Sequence, residues 1–110
     1  MLARYRTGIR GVGDLPIFMV ERRFAGELES SAEQADQINL INDEEGVRWL
    51  YSFLSADKRK TYCLYEAPFA DSVRRAAERA GLPADVVVEV SGVVLPDGSQ
   101  ARVPYEVAAD

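Results

Sequence analysis

A chain of 110 residues is read as one domain, long enough for a single core, and with 47% apolar residues and mixed charges it is globular and not disordered. A net charge of −5 argues against a general nucleic-acid binder, which needs a basic face, so Lys58-Arg59-Lys60 and Arg74-Arg75 are read as solvated clusters. The chain has no histidine and a single cysteine, Cys63, which excludes Ser-His-Asp and Cys-His catalysis, zinc sites built on histidine or on thiolates alone, and an intrachain disulfide. No apolar run is long enough to span a bilayer, and the arginine-bearing N-terminus has no apolar core before a cleavage site, so no membrane association is expected. With its lone thiol, the protein is expected in the cytoplasm.

Residues 1–15, with Gly8, Gly11 and Gly13 among arginines, are read as a mobile N-terminal arm, with an over-extended start as the alternative. Ile17–Arg23 is the first strand, Phe18 and Val20 facing a helix layer and Met19, Glu21 and Arg23 facing away. Ser30 as N-cap and Glu33 form a capping box, and a helix runs to about Asp43 with a weak apolar stripe. Gly46 suits the left-handed residue after it, while Asp43-Glu44-Glu45 opposes the helix dipole.

Residues 47–54 and 61–66 alternate with period two and are joined by the charged turn 55–60, an antiparallel hairpin. One face carries Leu50, Leu54 and Leu64 and suits the helices. The other carries Trp49, Tyr51, Phe53, Cys63 and Tyr65. After Pro68, residues 69–80 form a second helix with Phe69, Val73, Ala76, Ala77 and Ala80 on one face, closed by Gly81 and Pro83. Residues 85–95 are the fourth strand, with Val86, Val88 and Val90 toward the helices, Val87, Glu89 and Ser91 sharing the face of Glu21, and Gly92 at a bulge. Residues 96–99 turn, and 102–107 return as a short extra strand.

The order β-α-β-β-α-β predicts an α+β, ferredoxin-like domain over residues 16–95: a four-stranded antiparallel sheet, order 4-1-3-2, with two helices on one face and a C-terminal extension over 96–110. The open sheet face needs a cover, and a second copy supplies one, giving a homodimer. A pocket between the facing sheets is the expected ligand site, lined by Glu21, Trp49, Tyr51, Cys63, Tyr65 and Glu89. Two classes of function fit: a non-enzymatic dimeric binding protein for a small molecule, or a cofactor-free enzyme of the dimeric α+β-barrel kind. In the enzyme Glu21 is the base, with Tyr51 or Tyr65 as hydrogen-bond donor. Against these stand plainer roles: Glu21 pairing with Arg23 or Arg48, Cys63 as a small buried hydrophobe, Trp49 as packing, and Glu66 in a strand-end hydrogen bond.

The blocks FMVER at 18–22, EEGVRWLYSFLS at 44–55, KTYCLYEAP at 60–68 and RRAAERAGLPAD at 74–85 resemble the small bacterial nickel-binding, ferredoxin-like proteins. The resemblance covers roughly residues 16–95. It implies a dimeric ferredoxin-like domain, some members of which bind nickel. Many members carry a histidine in a Trp-x-His-Ser context and some another in an Arg-x-His-Ala context; the matching positions here are Tyr51 and Ala76. Glu21, Trp49, Cys63, Tyr65, Glu66 and Pro68 do match. The resemblance thus implies nickel as the cofactor while the imidazoles that would hold it are missing, so no metal ligands are assigned.

Overall fold

Hydrophobic alternation and turn residues translate into eight elements in the computed structural model of the chain, which describes residues 15–102. They are β1 (Ile17–Arg23), α1 (Ala32–Glu44), β2 (Arg48–Leu54), β3 (Lys60–Glu66), α2 (Ala70–Ala80), β4 (Val86–Val90), β5 (Gly92–Val94) and β6 (Gln100–Arg102). The first four strands make one antiparallel sheet in the order β2-β3-β1-β4. Phe18, Val20, Cys63 and Tyr65 of the sheet pack with Val73 and Ala76 of α2 in one core, against which Ile41 of α1 also packs, so both helices lie over the same face. Two helices on one side of a four-stranded antiparallel sheet fit the ferredoxin-like α+β fold. Among the described residues no helix is long and apolar enough to cross a membrane.

The helix ends show what local sequence specifies. The N-cap of α1 is Ser31 and not Ser30: the Ser31 hydroxyl accepts from the Gln34 backbone N–H at 3.2 Å, so the cap is shifted by one residue from the expected position. Gly81 closes α2 at φ 71°, and the Leu82 N–H reaches back to the Ala77 carbonyl at 2.9 Å, a Schellman closure. The acidic end of α1 is answered from α2. Arg79 bonds Glu44 at 2.5 Å and Glu45 at 2.9 Å, and Arg75 bonds Glu45 at 3.1 Å, so the charges that oppose the dipole of α1 clamp the two helices together. Phe69, expected on the buried face of α2, is instead its N-cap and 68% exposed.

The faces of the sheet differ from the sequence expectation in three places. A bulge at Leu50 shifts the register of β2, so Trp49 opposes Tyr65 on the helix side while Tyr51 and Phe53 point to the open side. In β3 the phase is the reverse of that expected. Cys63 and Tyr65 register with Val20 and Phe18 under the helices, and Leu64 lies on the open side with Ile17, packed by Leu50, Val90 and Val93. A central strand buried on both faces carries apolar residues in both phases, and period two alone then fixes no side. The valine run of β4, an edge strand, likewise puts apolar residues in both phases: Val87 opposes Val20, while Val86, Val88 and Val90 lie with Glu21, Met19 and Ile17.

The fourth strand is also shorter than expected. The chain leaves the main sheet after Val90, and Gly92 starts a separate hairpin, β5 with β6, where a Cβ would collide with the Ala101 carbonyl. The extra strand is therefore Gln100–Arg102, and the rest of the expected 102–107 segment lies outside the described residues, as do residues 1–14 of the expected arm.

Candidate functional site

A half-open cavity lies between α1 and the sheet. Its volume is about 430 Å³. Strand β1 contributes Arg22, β3 contributes Thr61, Cys63 and Tyr65, and β2 contributes Trp49 and Ser52. Opposite them, Ala35 and Ile38 of α1 form the other wall. The segment after β1 is drawn over the sheet end by two backbone bonds, Phe24 N–H to the Arg59 carbonyl at 2.8 Å and Leu28 N–H to the Lys58 carbonyl at 2.7 Å, and this adds Phe24 and Leu28 to the wall. The first turn of α1 lies at the mouth, with exposed Glu29, Ser30, Ser31 and Gln34. The weak stripe of α1 has a physical meaning here: Ala35 and Ile38 are only half-buried because they stand over a cavity and not over packed side chains.

The polar groups inside are ordered. Arg22 is 4% exposed; its Nη1 donates to the Pro83 carbonyl, and its Nη2 donates to the Tyr65 hydroxyl at 2.9 Å. The guanidinium carbon sits 5.6 Å from the Tyr65 ring centroid. Burial pushes the Tyr65 phenol above its ordinary pKa, and the charge of Arg22 offsets part of that rise, so the hydroxyl stays neutral and keeps a proton to donate. Trp49 Nε1 donates to the Ser52 hydroxyl at 2.8 Å, and the Cys63 thiol donates to the Thr61 hydroxyl at 3.4 Å.

The sequence-predicted site residues therefore divide. Trp49, Cys63 and Tyr65 meet at the cavity. Glu21 and Tyr51 lie on the opposite, open face, and Glu89 is exposed on β4 in register with Phe18. Glu21 pairs with Arg23 at 3.0 Å and lies 4.0 Å from Lys60, with 22% of its side chain exposed. Its cross-strand neighbour is Tyr62. Tyr51 packs edge-on against Phe53, centroids 5.6 Å apart. Glu66 is buried on the open side, with Oε1 3.7 Å from Arg48 and Oε2 without a hydrogen-bond partner among the described residues.

Sequence reasoning missed Arg22, Thr61 and Ser52 as site residues. The signal for Arg22 was present: it shares the buried phase of Phe18 and Val20, and a charge in that phase is costly unless something receives it. The signal for the others lay beyond the bulge of β2 and the phase of β3, which the chain alone does not reveal.

The donor set for a metal does not assemble. Among the described residues no group of three or more histidine, cysteine, aspartate and glutamate side chains could hold an ion. The thiol and Glu21 are on opposite faces of the sheet, and the Tyr65 hydroxyl is engaged by Arg22. These residues do not fit nickel, which prefers imidazole, thiolate or a dense oxygen shell.

A family model described as "Nickel responsive protein SCO4226-like" matches residues 18–90. Among solved structures, the crystal structure of SCO4226 from Streptomyces coelicolor A3(2) is similar at 29% identity with a TM-score of 0.54, covering 67% of this chain and 94% of that one. No curated protein matches the chain.

Proposed function

The chain belongs to the SCO4226-like family of nickel responsive proteins, and from that premise we propose that it is a non-enzymatic binding protein, homodimeric and cytoplasmic, that takes a small organic ligand in the cavity beneath α1 and not nickel. The observation that carries this reading is the cavity itself, about 430 Å³ with a largely apolar wall and a few ordered polar groups, the usual make-up of a small-molecule site. The two positions at which the family resemblance expects histidine support it. Tyr51 is on the open face beside Phe53, and Ala76 is 3% exposed within the core, where a methyl group packs and offers no lone pair. The buried free thiol of Cys63 is in keeping with a reducing compartment.

Support for the homodimer comes from the open sheet face. Met19, Tyr51, Phe53, Val86 and Val88 are large apolar side chains exposed there, Phe53 at 59% and Val88 at 48%. A second copy laid over this face would bury them and would leave the cavity, on the other side of the sheet, accessible. Of the two pairings in the enzymatic reading, Glu21 with Tyr65 is separated by the sheet, while Glu21 and Tyr51 share the open face, where Glu21 is engaged by Arg23 and Lys60.

A library of small organic fragments, followed by ligand-observed NMR on untagged protein and on the Ala35→Phe variant, tests the cavity reading. Fragments should bind the wild type and be lost from the variant, whose added ring occupies the cavity. Fragments that bind both proteins alike, or neither, would overturn it.

A further inference from the structure

Arg22 is the anomaly of the interior. The exposed arginines Arg23, Arg48, Arg75 and Arg79 each have a carboxylate within 4.0 Å, although 43–59% of their side chains faces water. Arg22, with 4% exposure, has none among the described residues; its bonds go to a neutral carbonyl and a neutral phenol. A guanidinium removed from water is costly unless it is paired, and it carries more N–H donors than these two acceptors can use. It also lines the cavity. In that low-dielectric setting its field is far stronger than at the surface.

We propose that the cavity is a site for a small organic acid, its carboxylate paired with Arg22 and its apolar body held between Ile38 and the Trp49 indole. This rests on the reading that the cavity takes an organic ligand, and it adds the chemical class. Each part of the lining has a matching task. Arg22 supplies the charge and the fork geometry suited to a carboxylate. The Tyr65 hydroxyl accepts from Arg22 and, with its pKa raised by burial, keeps a proton that a carboxylate oxygen can accept. Thr61 and Ser52 offer hydroxyls along the same side, while Ile38, Leu28 and Leu54 present hydrocarbon. The one carboxylate at the cavity, Glu29, is exposed at the mouth, where water screens it. The inference excludes cationic ligands, since no carboxylate is buried in the cavity to receive an ammonium group.

Trp49 is the only tryptophan in the chain and lines the cavity, so its fluorescence reports occupancy directly. Untagged full-length protein is titrated with phenylacetate, with phenylacetamide of the same shape without charge, and with 2-phenylethylamine. Phenylacetate should saturate and bind about tenfold or more tighter than the amide, and the amine should not bind. Arg22→Gln should abolish the advantage of the acid over the amide, while Arg22→Lys should restore part of it; circular dichroism checks that both variants fold. If Arg22→Gln does not fold, the acid-to-amide ratio on the wild type decides alone. An amide that binds as tightly as the acid overturns the charge inference and leaves the cavity reading standing. If none of the set perturbs Trp49 while the fragment screen yields cavity binders, the acid class is wrong. If neither set binds, the cavity reading falls with it.

Discussion

Val20 has no exposed surface and sits where the two sides of the core meet, opposite Cys63 on β3 and Val87 on β4. Val20→Ala removes methyl groups from a packed site and should cost about 2 kcal/mol, read as a lower urea midpoint with unchanged slope. Tyr65 makes a pH-dependent contribution of determinable sign. Its pKa in the folded protein is raised, chiefly by burial, so the stability it confers is whole below the ordinary phenol range and is lost as pH rises through the raised value. Wild type should therefore weaken steeply in alkali and Tyr65→Phe should not, in chemical unfolding followed across that range. At this scale the sequence was informative where a residue's role is local. Glu21 pairs with Arg23 as one plain reading held, and Cys63 is a small buried group. It was uninformative where a role depends on strand phase, as for Arg22, because side chains of opposite phase differ only in which layer covers them.

The helix pair shows how an apparent local fault becomes a tertiary feature. Asp43-Glu44-Glu45 is unfavourable for α1 taken alone, and its answer, Arg75 and Arg79, lies on another helix. No pattern in the α1 segment could announce partners 30 to 35 residues away. The hydrogen bonds from Arg75 and Arg79 hold the Glu45 carboxyl below its ordinary pKa. A depressed folded value means that this contribution is present above the ordinary carboxylate range and fades as pH falls through the depressed value. In thermal melts at a series of pH values, Glu45→Gln should therefore lower the melting temperature at neutral pH and converge with wild type in acid. The gap should also narrow at high salt, since both arginine side chains are exposed. Elements themselves were legible from period and punctuation: each helix and main-sheet strand lies within a few residues of its expected place. The exception is the end of the fourth strand, where Gly92 marked a change of partner and not a bulge within one strand.

At the scale of the molecule, element order was enough to specify an α+β sheet-and-helix architecture, because right-handed crossovers leave few alternatives. The site was not, for a reason that can be traced to a single residue and a single strand. Leu50 inserts a bulge, β3 is buried on both faces, and together these move Trp49, Cys63 and Tyr65 from the open face to the interior. An expected pocket between two sheets thereby becomes a cavity within one chain, and the open face is left to the proposed homodimer. A charge placed in the apolar band of that face should break it. Phe53→Asp and Val88→Asp should each convert dimer to monomer in sedimentation velocity while leaving the Trp49 response to cavity ligands intact; a monomeric wild type would contradict the proposed association.

Native mass spectrometry decides whether this member of a nickel responsive family has, as proposed, lost the nickel. The protein must be untagged, since a histidine tag would supply the imidazoles the chain lacks. Measured as purified and after incubation with nickel, it is expected to give a dimer whose mass carries no stoichiometric metal in either state. A dimer that retains a whole number of nickel ions would contradict the claim and return the function to the metal that the family name records.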